Sequence, residues 1–277
     1  MFDVDCESMN NDLILYERKG HIALVTLNRP DRRNAFHEAM WTALDRVVDD
    51  IRAALPRAIV LTGAGPAFCA GFDVNPDNTQ VSGMIEAVQR HEREPAERLV
   101  ARIRSAVDGF VSLPVPIIAA LNGLAYGGGA ELAVRCDMRI ADPDAVICFS
   151  ETKLGLMPDW GGGAALARLI GPSRAADLVC TARRVDAGEA FALGLVNRIS
   201  APGETRYEAL ALAESIAQNG PRAVRAALSV VRRANDMPLP DALDYESEQA
   251  ATLIASGECI HGISAFLTKQ KAEFPDD

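Results

Sequence analysis

Three short apolar runs in this chain each give way to a glycine-rich turn, and this pattern limits the fold more than any other feature. Residues 58–61 stop at Thr62-Gly63-Ala64-Gly65. Ile117–Leu121 leads through Asn122-Gly123 to the triplet Gly127-Gly128-Gly129. Residues 146–149 run into a segment that closes on Gly161-Gly162-Gly163. Apolar runs of four or five residues bounded by turn residues read as buried strands. Between them, residues 36–55 carry Met40, Leu44, Val47, Val48 and Ile51 at helical spacing, and 81–112 combine dense charge with helical periodicity. The order β–α–β–α with glycine turns at strand ends predicts an α/β core.

The rest of the chain fits around that core. Residues 13–16 and Ile22–Leu27 flank Lys19-Gly20 and read as a hairpin, and 28–34 and 67–75 read as loops. A helix is expected from about Ala130, with short strands at Met138–Ala141 and 146–149. Residues 1–12 are polar and read as a loose terminus, so the core is expected over 13–204. From 205 to 277 the pattern is helical, broken at Asn219-Gly-Pro221, Pro238-Leu-Pro240 and Gly257. Its apolar faces lack a core of their own, which predicts an oligomerising helical region.

Charge and cysteine usage exclude several functions. A net charge of −10 argues against general nucleic-acid binding. The stripe Arg222, Arg225, Arg232 and Arg233 reads as a solvated helix face. Six dispersed cysteines without a Cys-x-x-Cys pair read as reduced thiols in a cytoplasmic protein. The acidic N-terminus does not read as a signal peptide, and no run has the length of a membrane span. Four scattered histidines offer neither a metal set nor a Ser/His/Asp arrangement, so no metal is expected.

The candidate chemistry lies at two glutamates in glycine-rich settings. Glu131 closes the run that carries the triplet, and Glu151 opens the run that ends at Gly163. Two carboxylates converging in a dry pocket can move protons to and from one substrate. Unhindered N–H groups at the triplet, ahead of a helix, suit a developing oxyanion. Each feature also has a plain structural reading: a tight turn for the triplet, a helix-dipole partner for Glu131, a surface cap for Glu151, a packed aromatic for Trp160. No Gly-x-Gly-x-x-Gly or Gly-Lys-Ser/Thr signature marks a nucleotide site.

Five ordered motifs together resemble the enoyl-CoA hydratase/isomerase (crotonase) superfamily. They are Leu27-Asn-Arg-Pro-Asp-Arg-Arg-Asn-Ala35, Ala67-Phe-Cys-Ala-Gly-Phe-Asp73, Pro116-Ile-Ile-Ala-Ala-Leu-Asn-Gly123 leading to Glu131, the run from Glu151 to Gly163, and Gly262-Ile-Ser-Ala-Phe-Leu-Thr-Lys269. The resemblance implies a spiral of ββα turns with a C-terminal helical region, and a trimer or dimer of trimers. It implies syn addition of water to a trans-2-enoyl-CoA, with no cofactor beyond the coenzyme A of the thioester substrate. By motif position, Phe72 and Gly128 would supply the oxyanion-binding N–H groups. Glu131 would help deprotonate a water, and Glu151 would protonate the α-carbon. Arg33, Ala35, Ala70, Asp73, Val74, Tyr126, Gly127, Phe266 and Lys269 would contact coenzyme A or the acyl group. Asp159 departs from the hydratase pattern, in which glycine is frequent. Isomerases and a dehalogenase branch place a catalytic aspartate there, although Pro158-Asp-Trp-Gly is also a plain turn. A double-bond isomerase and a non-catalytic acyl-CoA-binding scaffold are the alternative readings.

Overall fold

The computed structural model describes residues 13–275, so the expected loose terminus at 1–12 lies outside the described residues. Among the described residues ten strands form two sheets. The strands are β1 (Ile14–Lys19), β2 (Ile22–Leu27), β3 (Ala58–Gly63), β4 (Ala67–Cys69), β5 (Ile117–Leu121), β6 (Leu124–Tyr126), β7 (Met138–Ala141), β8 (Val146–Cys148), β9 (Val185–Asp186) and β10 (Arg198–Ile199). The larger sheet has the order β1-β2-β3-β5-β7-β10 and the smaller one β4-β6-β8-β9. The β1–β2 hairpin is antiparallel, and β2 through β10 of the large sheet run parallel.

Helices join and cover the sheets. They are α1 (Glu38–Ala53), α2 (Thr79–Arg90), α3 (Glu94–Val111), α4 (Gly128–Arg135), α5 (Gly162–Ile170), α6 (Pro172–Thr181), α7 (Ala187–Ala192), α8 (Thr205–Ala217), α9 (Pro221–Arg233), α10 (Leu239–Ala255) and α11 (Glu258–Thr268). The inner strands β2, β3 and β5 are buried along their whole length, as parallel strands covered on both faces are. On β3, Ile59 and Leu61 enter the main core with α1 and α3, while Ala58 and Val60 point the other way. That second face, with Ile22, Leu24, Ile118 and Ile140, is covered by Ala209, Leu210, Ala213 and Ala217 of α8. The first helix after residue 204 therefore has its partner within the chain. By contrast, α10 buries no residue, and on α11 only Glu258 is buried.

Several expectations are corrected. The 67–75 loop opens with strand β4, three buried apolar residues too short to show a period. The helical stretch 81–112 is two helices, parted where His91 turns left-handed at φ 56°. The helix expected from Ala130 starts two residues earlier, at Gly128. The arginine stripe is not uniformly solvated. Arg232 bridges α9 to the core through both Asp137 oxygens, at 2.7 Å each, and the Leu113 carbonyl at 2.8 Å. Among the described residues no single helix is long and apolar enough to cross a membrane.

Candidate active site

The small sheet brings the glycine runs together. β4, β6 and β8 are parallel neighbours, so their C-terminal ends deliver Ala70, Gly127 and Ser150 to one place. Past β4, Phe72 forms a single parallel bridge with Phe36: the Phe36 N–H donates to the Gly71 carbonyl and the Asp73 N–H to the Phe36 carbonyl. In a parallel bridge the central residue's own N–H faces the opposite side, which for Phe72 is the side of a cavity that it lines. Gly128 is the first residue of α4, where a helix leaves its N–H groups unpaired. Gly71, at φ 84°, lets the two segments meet: a Cβ there would stand 2.7 Å from the Gly128 nitrogen. Two N–H groups thus converge on one wall.

The cavity measures about 210 Å³. Its walls are mostly apolar, with Met84 from α2 and Ala96, Leu99, Val100 and Ile103 from α3. The α3 residues follow an i, i+3, i+4, i+7 spacing, one face of a helix. At the polar end stand Glu151, Asp159 and the buried indole of Trp160, the last packed edge-on to Trp41 at 4.7 Å between ring centroids.

Glu131 lies directly behind this wall and is fully buried. Its Oε1 accepts from the Asp159 N–H at 3.2 Å. Its Oε2 accepts from the N–H groups of Trp160 at 2.9 Å and Gly162 at 2.8 Å. Glu151, expected as a surface cap on the plain reading, is 8% exposed. The two carboxyl groups lie within hydrogen-bonding reach of each other. Burial raises the affinity of both for protons, and their proximity means that the pair releases its two protons in separate steps. Burial, then contact with Glu151, holds the proton on Glu131 against the pull of the Gly162 N–H, while contact with the Glu131 carboxyl counters the effect of burial on Glu151. Burial, then the charge of Glu151, pushes Asp159 up to about 6.

The remaining candidates divide between this site and places outside it. Ala70, Val74 and Gly127 line the cavity. Exposed Arg33, left-handed at φ 50°, is tied to it through its carbonyl, which accepts from the Ala70 N–H at 2.9 Å. Ala35 is buried behind the same loop. Tyr126 precedes Gly127, with the Arg184 guanidinium 5.8 Å above its ring. The Asp73 carboxylate faces inward: Arg29 Nη1 lies at 2.6 Å and Asn75 Nδ2 at 2.6 Å. Burial opposes its ionisation, but the donors from Asn75 and Arg29 outweigh it and hold the carboxyl below its ordinary range. Its side chain thus braces the loop that carries Phe72. Phe266, 82% exposed, and Lys269 lie on and just past α11 and do not line the cavity.

Arg29, which braces Asp73 from 44 residues away, was not among the residues expected from the sequence. The motif that holds it carried the signal. The thiols of Cys69 and Cys136 are buried and pushed up to about 12, which makes them poor nucleophiles. Among the described residues no three His, Cys, Asp or Glu side chains converge as metal ligands.

The enoyl-CoA hydratase/isomerase family profile matches residues 17–277. The short-chain-enoyl-CoA hydratase of Clostridium acetobutylicum is 33% identical over 267 residues, covering 96% of this chain and 97% of the relative. The mitochondrial methylglutaconyl-CoA hydratase of Mus musculus is 33% identical over 266 residues, covering 94% and 81%. The crystal structure of an enoyl-CoA hydratase from Bacillus anthracis superposes with a TM-score of 0.86 at 34% identity, covering 95% of this chain and 98% of that one. The chain therefore belongs to the enoyl-CoA hydratase/isomerase family and has the crotonase fold.

Proposed function

We propose that the protein is an enoyl-CoA hydratase that adds water in the syn sense to trans-2-enoyl-CoA, giving a 3-hydroxyacyl-CoA. The observation that carries this reading is a pair of buried carboxyl groups in contact, Glu151 lining an apolar cavity also lined by Phe72 and Gly128 and Glu131 directly behind it. The thioester oxygen accepts from those two N–H groups, and its developing enolate charge is stabilised without reorganisation. Glu131, oriented by three backbone donors, takes a proton from the water whose oxygen bonds to the β-carbon. Glu151 delivers a proton to the α-carbon on the same face. One proton is taken and one is given, so the pair again holds one proton, which passes between the two carboxyls before the next turnover.

The coenzyme A moiety lies along the loops that carry Arg33, Ala35, Ala70, Asp73 and Val74, of which Ala70 and Val74 line the cavity. Tyr126 and Gly127 contribute from the small sheet, and Phe266 and Lys269 from a helical tail, in this or a neighbouring subunit of a trimer or dimer of trimers. Coenzyme A enters as substrate, and the acid–base pair asks for no further cofactor. Reduced cysteines fit a cytoplasmic enzyme.

Asp159 favours a second reading, double-bond isomerisation, because it lines the cavity and holds its proton up to about pH 6. The test is turnover of trans-2-enoyl-CoA against 3-enoyl-CoA, wild type beside Asp159→Asn. Hydration predicts a preference for the 2-enoyl substrate, a 3-hydroxyacyl product and a loss of under about tenfold in the variant. Wild-type preference for the 3-enoyl substrate, with a loss in the variant of about 10²-fold or more on that substrate alone, would establish the isomerase instead.

A further inference from the structure

The tetrapeptide Asp159–Gly162 is gripped from two sides by a single turn of α4. Glu131 receives its N–H groups. Arg135, four residues on and so on the same helix face, holds its carbonyl side: Nη1 donates to the Trp160 carbonyl at 3.0 Å. The other end of the guanidinium is fixed, with Nη2 donating to Asp108 Oδ1 on α3 at 2.6 Å. Asp108 is fixed in turn by Arg104 Nε at 2.7 Å on its second oxygen. Gly161 is shaped to this contact. It sits at φ 87°, and a Cβ there would overlap Arg135 Nη1. Arg135 is largely buried, with 17% of its side chain exposed.

We propose that Arg135, anchored by Asp108, is a positioning residue for Glu131: it locks the loop whose N–H groups orient that carboxylate. The proposal rests on the reading of Glu131 as the group that deprotonates water. The physical reason is rigidity. Three N–H donors aim a carboxylate only if their own backbone is fixed, and the Trp160–Gly161 peptide is tied to rigid structure through its carbonyl. Without the guanidinium, a carbonyl beside a fully packed indole loses its donor, and the loop relaxes toward another partner. Glu131 then keeps its burial and its neighbours Glu151 and Asp159, both of which favour the protonated form, while it loses donors that favour the carboxylate. The sign is fixed: its affinity for a proton rises, and the acid limb of the kcat profile moves to higher pH.

The test compares Arg135→Met, Arg135→Lys and Asp108→Asn, alone and with Glu131→Gln, on crotonyl-CoA, with thermal melting to measure the folded fraction. Arg135→Met is expected to lower kcat about 10–100-fold with KM changed less than about threefold. The acid limb should shift upward, Arg135→Lys should recover part of the loss, and Asp108→Asn should show a smaller loss of the same kind. In the Glu131→Gln background Arg135→Met should cost little more, because both act through one group. Asp108→Asn and Arg135→Lys, the milder changes, decide the matter if the methionine variant does not fold. The proposal is overturned if these variants melt earlier but keep wild-type kcat and pH profile per folded molecule. It is equally overturned if Arg135→Met costs the same factor with and without Glu131. Wild-type turnover by Glu131→Gln alone would instead remove the functional reading on which the proposal stands.

Discussion

Glu151 keeps a carboxyl group in an apolar enclosure where its side-chain neighbour for hydrogen bonding is the Glu131 carboxyl. Such a group costs folding free energy whenever it is ionised, and burial raises its affinity for a proton accordingly. The folded state thus binds the proton more tightly than the unfolded chain. Its contribution to stability is full below the ordinary carboxyl pKa and is lost as pH rises through the raised folded value. Glutamine has no such proton to lose. Glu151→Gln should therefore gain in melting temperature relative to wild type, by about 2–4 °C between pH ~5 and ~8. A difference that stays constant over that range would show that Glu151 is not held in a charge-hostile site. The sequence made both glutamates legible as candidates because each follows an apolar strand in a glycine-rich run. It could not show that three N–H groups from residues 159–162 reach Glu131, since that contact joins segments 28 to 31 residues apart. Asp73 was legible as a position and misleading as a side chain, because its partner Arg29 lies 44 residues away.

At the scale of elements, strands long enough to show an apolar run were readable and the shorter ones were not. β9 and β10, two residues each, carry no period at all, and β4 and β6 have three residues apiece. Yet β4 and β6 build the site wall, so the sheet that matters most for chemistry was the least visible. The α2–α3 pair was seen as one charged helical stretch. Its polar surface concealed the apolar face, Leu99, Val100 and Ile103, that lines the cavity. That face is where an acyl chain would lie. Val100→Phe narrows the cavity without touching the carboxyl groups. It should lower kcat/KM for an eight-carbon enoyl-CoA on the order of tenfold more than for crotonyl-CoA. Equal losses on both substrates would mean that α3 does not border the acyl chain.

For the whole molecule, the helices after residue 220 leave large apolar side chains uncovered, including Val231, Leu239, Ile254, Ile260 and Leu267. α10 buries no residue, whereas α8 packs on the outer face of the large sheet. Apolar surface of this extent is ordinarily covered by association. Light scattering of the intact protein at micromolar concentration should give the mass of three or six chains, and a monomer would contradict the proposed assembly. In the proposed hydration two carboxyl groups act on one water. The most direct test is hydration of crotonyl-CoA by Glu131→Gln and Glu151→Gln, each compared with wild type at equal folded concentration. Each variant should lose about 10²–10⁴-fold in kcat while folding normally. Near wild-type hydration by either variant would contradict the two-carboxyl mechanism.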